Sequence, residues 1–389
     1  MHFTKDNPKS QYACHLWYNT SHMDNLIVGA GLSGCVLARR LAQAGQNVTI
    51  IDQRDRVGGN CADAQIDGIT VHLYGAHIFH TSNAQVWQFL SRFTDWHDYR
   101  HRVLAAVGDQ LIPLPFSFAS IRQCFAPEHT NLLISKLRTT FGDDAHVPLS
   151  QLQATTDTDL RQLADFIFKN IFCDYTRKQW QCDWQQLDAS VTSRVPIVTN
   201  DSVDYFADVH QGIPARGYTH LCEQLLQHTN IRLQLQTDFL SFRSQAKTAF
   251  GRIFYTGALD ELFEFCYGPL PYRSLRFQQE KIARDFFQPV AVVNYPPLQF
   301  KFTRIIEHKY FLSEKCAHTI VTREFPQNFI AGQTEPYYPI TNATNNTLYH
   351  KYLCLAHQKN IVPLGRLGDY RYYNMDQAVS RALSIDINL

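Results

Sequence analysis

The sequence predicts an α/β protein: a Rossmann-like dinucleotide-binding domain with an inserted helical domain and an antiparallel β-sheet domain. Three observations predict it: a Gly-x-Gly-x-x-Gly turn between apolar strand-like runs within residues 25–60, helical spacing of apolar residues from about 117 to 190, and short β-rich pieces from about 195 to 345.

The first element is the most informative. Leu26-Ile27-Val28 leads into Gly29-x-Gly31-x-x-Gly34, followed by the amphipathic run CVLARRLAQA, a stop at Gly45, the apolar run VTIID and an acid, Asp52. This order is the βαβ dinucleotide fingerprint. Gly29 permits the tight turn, Gly31 lets backbone approach a pyrophosphate, and Gly34 lets helix and sheet pack closely. The helix start, with Ser33 in its first turn, offers free N–H groups and a partial positive charge to the phosphates. Asp52 is placed to accept a hydrogen bond from a ribose hydroxyl. The fingerprint alone does not separate NAD from FAD. The continuation Arg54-Asp55-Arg56-Val57-Gly58-Gly59-Asn60 favours FAD, because a second glycine pair lets the chain double back along an extended dinucleotide.

Beyond this unit, VHLYGAHIFHT (71–81) reads as strand and AQVWQFLSRF as helix. SIRQCF, NLLISKLRTTF and LRQLADFIFKNIF carry apolar residues every three or four positions, the spacing of helices. AVVNY, KFTRIIEH and HTIVTREF read as strands of a separate sheet. IRLQLQTDFL (231–240) and GRIFYTG (251–257) read as late strands of the dinucleotide domain, to which the chain returns. The expected division is a disordered tail over 1–22; a discontinuous dinucleotide domain over 23–100, 214–260 and 346–389; a helical domain over 113–193; and a sheet domain over 194–213 and 261–345.

Composition narrows the function. At 389 residues the chain can hold two to three domains. Charged residues are only 18% against 45% hydrophobic, a globular balance. Thirty-six Lys and Arg against 35 Asp and Glu leave a net charge of +1, with no global field to gather nucleic acid or an acidic membrane. The ten cysteines form no CxxC pair, so they read as reduced thiols, and no metal site is expected. Residues 1–22 lack the apolar core of a secretory signal, and no apolar run reaches about 18 residues. A cytoplasmic protein without a membrane span is the expectation.

Several segments then carry a resemblance: YGAHIFHT (74–81), LPF (114–116), YTRKQW (175–180), RVP (194–196), QGIPARGYT (211–219), IFYTG (253–257), YRSLRF (272–277), TRIIEHK (303–309), EPYYPI (335–340) and GRLGDYRYYNM (365–375). Each is weak alone. In this order behind the glycine cradle, from about Asn25 to about Ala382, they resemble the bacterial-type UDP-galactopyranose mutases. The resemblance implies an isomerase that interconverts UDP-galactopyranose and UDP-galactofuranose with no net redox change. Its cofactor is FAD in the reduced form, whose N5 attacks the anomeric carbon as UDP departs and later returns. The resemblance also implies a homodimer.

By that resemblance, Arg194 and Arg304 grip the diphosphate, Arg194 from a loop that closes over substrate. Guanidinium suits the task because its planar fork meets phosphate oxygens with paired charge-assisted bonds. Tyr175 stacks on uracil and Trp180 borders the sugar. Tyr205, Tyr338 and Tyr372 reach the diphosphate or sugar through their hydroxyls, Asn294 meets a substrate hydroxyl, and His101 lines the substrate site. His77 sits against the flavin, where the loop at Gly75 can bring a carbonyl toward N5–H. Gly59, Asn60, Gly365, Arg366 and Asn374 complete the cofactor contacts. Three departures stand out: Asn374 where the family usually has an acid, Leu364 where it usually has glycine, and Ala258 after Gly257 where it tends to have proline. Two other readings stay open, an amine-oxidase-like FAD oxidoreductase and an inactive flavoprotein.

Overall fold

A computed structural model describes residues 24–180, 196–245 and 250–387. Five parallel strands form the dinucleotide sheet, in the order Ile231–Gln234, Val48–Ile51, Asn25–Val28, Arg252–Tyr255, Ile361–Pro363. The two central strands, VTII and NLIV, are almost wholly buried, as continuous apolar runs in a covered parallel sheet should be. Three of the five strands come from beyond residue 230, so the sheet closes only after the rest of the chain has made its excursions.

The run 231–240 is strand only to Gln234. Gln236 takes a left-handed φ of 51°, and the Gln236 and Thr237 N–H groups donate to the Arg54 and Asp52 carbonyls, which turns the chain out of the sheet; a helix, Phe239–Gln245, follows. The fifth strand, Ile361–Pro363, is three residues long and has no alternation to announce it.

A second, seven-stranded sheet runs Tyr338–Pro339, Tyr272–Ile282, Thr319–Asn328, Arg304–Glu307, Val292–Asn294, Val103–Val107, Gln110–Leu114. It is antiparallel except at one seam, where Val292–Asn294 lies parallel to Val103–Val107. The expectation of a wholly antiparallel sheet is corrected there: the strand pair from residues 103–114 joins across the chain, so no hairpin dictates its direction.

The helical layer comprises Phe118–Cys124, Pro127–Phe141, Leu149–Gln153 and Thr158–Ile167. Thr158–Ile167 buries Leu160, Leu163, Ala164 and Ile167, one face at helical spacing, and Asp157 caps its start by accepting from the Asp159 and Leu160 N–H groups. Each buried leucine contributes about 2 kcal/mol through the water it sheds. A π-helical stretch, Phe168–Cys173, follows and passes into Asp174–Trp180. The wider π turn re-aims the face that the last helix presents, which matters because that helix carries YTRKQW.

The run 71–81 is not one strand. Ile69–His72 pairs with Asp63–Ile66, and Phe79–Thr81 pairs with His210–Gly212. Between them Gly75 adopts φ 99° and the His77 N–H donates to His72 Nδ1, so the backbone leaves the sheet. Among the described residues no helix is long and apolar enough to cross a membrane.

Candidate functional site

The glycine cradle has no room for side chains. A Cβ on Gly34 would lie 2.0 Å from the Gly29 carbonyl oxygen, and one on Gly29, whose φ is 105°, would lie 1.8 Å from Thr256 Oγ1. Gly59 crosses Gly31 so closely that a Cβ would meet the Gly31 Cα at 2.9 Å. The Gly58 N–H donates to the Ala30 carbonyl at 2.8 Å, binding the second glycine pair to the first turn. These contacts surround a cavity of about 620 Å³, lined by Gly29, Gly31, Ser33, Gly34, Asp52, Gly59 and Asn60 and closed from the C-terminal side by Gly365 and Arg366. It opens at the N-terminus of the Leu32–Gln43 helix. A glycine-walled groove at a helix start is the shape and polarity a dinucleotide pyrophosphate requires, so the residues fit a dinucleotide cofactor.

Asp52 has a second task beyond the one its position suggests. Its Oδ2 accepts from the Ala30 N–H at 2.7 Å and its Oδ1 from the Arg54 N–H at 2.9 Å, so the carboxylate braces the turn whose neighbour it would serve. Arg54, two residues on, stacks its guanidinium 4.5 Å over the Tyr74 ring and donates to Asn60 Oδ1 and Glu335 Oε2.

A second cavity, about 590 Å³, lies against the seven-stranded sheet and shares Asn60, His77, Arg366, Tyr373, Asn374 and Met375 with the first. Gly75, His77, His101, Tyr175, Trp180, Tyr205, Asn294, Arg304, Tyr338 and Tyr372 all line it. The candidates drawn from Gly29 to Asn374 therefore converge on two adjoining cavities. Arg194 lies outside the described residues.

Arg304 starts its strand opposite Asn294 on one side and Glu324 on the other. Its Nη2 donates to Tyr175 Oη at 2.5 Å, and its Nε lies 3.4 Å from Glu324 Oε1. Burial opposes charge on Arg304, but Glu324 together with Tyr175, Tyr338 and Tyr205 outweighs it and raises the guanidinium pKa well above its ordinary value. Glu324 itself is almost wholly buried, and its Oε2 would stand 3.4 Å from a Cβ on Gly75. It thus bridges the arginine and the Gly75–His77 loop. Sequence reading missed it, since a lone acid in TIVTREF reads as a solvent-facing residue.

Trp180, Tyr338 and Tyr372 form a triangle, with ring centroids 5.0 to 6.1 Å apart. Arg366 stacks over both tyrosines, at 5.3 and 5.7 Å, and donates to the Tyr373 carbonyl at 2.9 Å. Asn374 caps the Met375–Ser384 helix in a reciprocal box with Gln377. Leu364 is fully buried beside Gly365.

Burial holds His77 and His101 toward the neutral form. His77 Nδ1 lies 2.8 Å from the Gly75 carbonyl, which can only accept, so Nδ1 carries the hydrogen and Nε2 the lone pair. Burial and the nearby Arg366 charge push its pKa down to about 4. His101 is packed between Tyr205 and Phe206, and burial, with Arg304 and His80 adding to it, lowers its pKa to about 3. His80 stacks on Phe206 at 3.6 Å and contacts Asp208 at 2.7 Å.

Comparison with known proteins gives concordant findings. The family model for UDP-galactopyranose mutase matches residues 170–372, and that for an NAD(P)-binding Rossmann-like domain matches 27–93. A probable UDP-galactopyranose mutase of Klebsiella pneumoniae is 38% identical over 368 residues, covering 92% of each chain. A dTDP-fucopyranose mutase of Escherichia coli is 33% identical, covering 92% of this chain and 96% of that one. The crystal structure of a reduced UDP-galactopyranose mutase superposes with a TM-score of 0.70 at 14% identity, covering 93% of this chain and 92% of that one, a likeness of fold.

Proposed function

The chain belongs to the UDP-galactopyranose mutase family, and from that membership we propose that it interconverts UDP-galactopyranose and UDP-galactofuranose using reduced FAD. The single observation that supports this most is the junction of the two cavities at Asn60, His77, Arg366, Tyr373, Asn374 and Met375. A dinucleotide in the first cavity would end where a nucleotide sugar in the second begins.

Reduced FAD, when bound, supplies an electron-rich nitrogen, N5, as nucleophile toward the anomeric carbon. The protein's part is holding and charge. In this reading Gly29, Gly31, Ser33, Gly34 and the helix start hold the pyrophosphate, with Asp52 at a ribose and Gly59, Asn60, Gly75, Gly365 and Asn374 along the rest of the cofactor. His77, neutral with its lone pair on Nε2, adds no positive charge beside the cofactor. Arg304, joined by Arg194, neutralises the departing diphosphate and keeps UDP close enough to return. Tyr175 and Trp180 hold uracil and sugar, while Tyr205, Asn294, Tyr338, Tyr372 and His101 orient the hydroxyls. The aromatic walls exclude water, which would otherwise capture the sugar once UDP has left. The same reading carries the expectation of a cytoplasmic homodimer, whose mass light scattering would measure.

A direct test is anaerobic incubation of dithionite-reduced protein with UDP-galactofuranose. UDP-galactopyranose as product, with no net flavin oxidation, supports the proposal. Stoichiometric flavin oxidation or reduction by the sugar would favour an oxidoreductase, and turnover of dTDP-fucofuranose alone would move the substrate assignment to the sugar of the Escherichia coli relative.

A further inference from the structure

Lys178 lies in the helix Asp174–Trp180, three residues after Tyr175 and two before Trp180, but is not among the residues lining either cavity. Its side chain is half-buried in the loop that joins two strands of the large sheet, Val292–Asn294 and Arg304–Glu307. There Nζ donates to four backbone carbonyls: those of Tyr295, Pro297 at 3.2 Å, Phe300 at 3.1 Å and Phe302 at 2.9 Å. An ammonium has three hydrogens, so four carbonyls form a cage around a small cation and not a set of independent bonds. The loop contains Pro296 and Pro297, which have no N–H to offer each other's carbonyls, and Tyr295, Phe300 and Phe302 close over it with centroids 5.0 to 5.6 Å apart.

The loop begins directly after Asn294 and ends directly before Thr303 and Arg304. The helix thus meets the substrate-lining hairpin at two points: inside the cavity through Tyr175 and Arg304, and outside it through Lys178. At its far end the helix is held to a third strand, where Arg273 Nε donates to the Gln179 carbonyl at 2.9 Å. The Tyr175 and Lys178 contacts, 3 residues apart in the helix, set its rotation against the hairpin itself, and with it the distance from Trp180 to Asn294 and Arg304.

We propose that Lys178 is a positioning residue of the substrate site, its ammonium caged by the 295–302 carbonyls so that Tyr175 and Trp180 are held in register with Asn294 and Arg304. This rests on the mutase reading for the choice of ligand. Arginine cannot replace it, because a planar guanidinium does not fit a cage sized for a compact ammonium. A small free cation can, in part, when the side chain is removed.

The test uses flavin-loaded wild type, Lys178→Arg and Lys178→Ala, with flavin content from absorbance, KM and kcat for UDP-galactofuranose, and Kd for UDP by calorimetry. Expected are full flavin content in both variants and a tenfold or greater rise in KM and in the Kd for UDP. For Lys178→Ala, 100 mM ammonium chloride should recover at least threefold of that loss where equal sodium chloride does not. Wild-type KM and Kd in Lys178→Arg would overturn the cage, as would rescue by sodium equal to that by ammonium. Loss of flavin or of fold in both variants would assign Lys178 to stability and overturn the positioning role. Failure of wild type to turn over the sugar nucleotide is a separate outcome: it removes the mutase reading, and the UDP Kd of the variants still decides the cage.

Discussion

Arg304 and Glu324 are cross-strand neighbours, and the guanidinium lies 3.4 Å from a carboxylate that has almost no contact with solvent. A buried acid left without its cation is costly, so each of the pair constrains the other. With Tyr175 accepting from the same guanidinium, Arg304 arrives in the cavity already oriented, and little ordering remains for substrate to impose.

Replacement of Arg304 by alanine should therefore lower kcat/KM for UDP-galactofuranose by about a hundredfold or more, as expected when a fixed charge opposite a leaving diphosphate is removed. Arg304 does not line the dinucleotide cavity, so flavin absorbance should persist. A variant with near-wild-type kinetics would remove Arg304 from the diphosphate site.

Gly34→Ala should abolish flavin uptake, because its methyl group would lie 2.0 Å from the Gly29 carbonyl and the turn itself must move. Cofactor content of the purified variant, measured from its visible spectrum, checks this. Gly45→Ala is the control for loss of a left-handed glycine alone: its φ is 81° but a Cβ there meets nothing within 4 Å. It should bind flavin at a modest cost in stability of about 1 kcal/mol.

Acid should destabilise the protein through its buried histidines, among them His72, His77, His101 and His308. Burial lowers the folded pKa values of His101 and His308 to about 3, with Arg304 and His80 adding to the effect on His101, while the unfolded values stay near 6.5. The unfolded chain thus binds more protons between those limits. Stability is fully present above pH ~6.5 and falls toward pH ~3, by about 1.4 kcal/mol per histidine per pH unit. Urea midpoints at pH 7, 6 and 5 should decline steadily. His308→Gln, which retains a donor toward Thr322, should reduce that slope without abolishing it, because burial lowers His72, His77 and His101 as well.

Asn374→Asp restores the acid usual in the family without disturbing the helix it caps, since asparagine and aspartate cap about equally well. Thermal stability should change little, so any kinetic change reports charge at the cavity junction. A carboxylate there should lower the flavin reduction potential, because it disfavours added electron density on the isoalloxazine. An unchanged potential would place Asn374 away from the flavin.

The cradle was legible from residues 25–60 because its demands are local. Left-handed φ at Gly29 and Gly58 and the close approaches at Gly31 and Gly34 admit few residue types, and strand, turn, helix, strand and acid follow one another within a short stretch of chain. The substrate cavity had no such local signature. Tyr175 and Trp180 share no face by spacing, and Asn294, Arg304, Tyr338 and Tyr372 stand on separate elements; only the resemblance to a family grouped them.

What the sequence determined by itself was the dinucleotide unit, the helical layer, the strands of a second sheet and the charge types available to a diphosphate. What the tertiary structure alone decided was register and convergence. Glu324 reaches Arg304 because two antiparallel strands pair in one register, and a shift of one residue would turn it to the opposite face. Lys178 finds its cage because four carbonyls from one loop face inward, and every residue has a carbonyl whose direction no side chain announces. Local preferences are written in each residue, whereas contacts between distant residues exist only once the backbone has been folded into place.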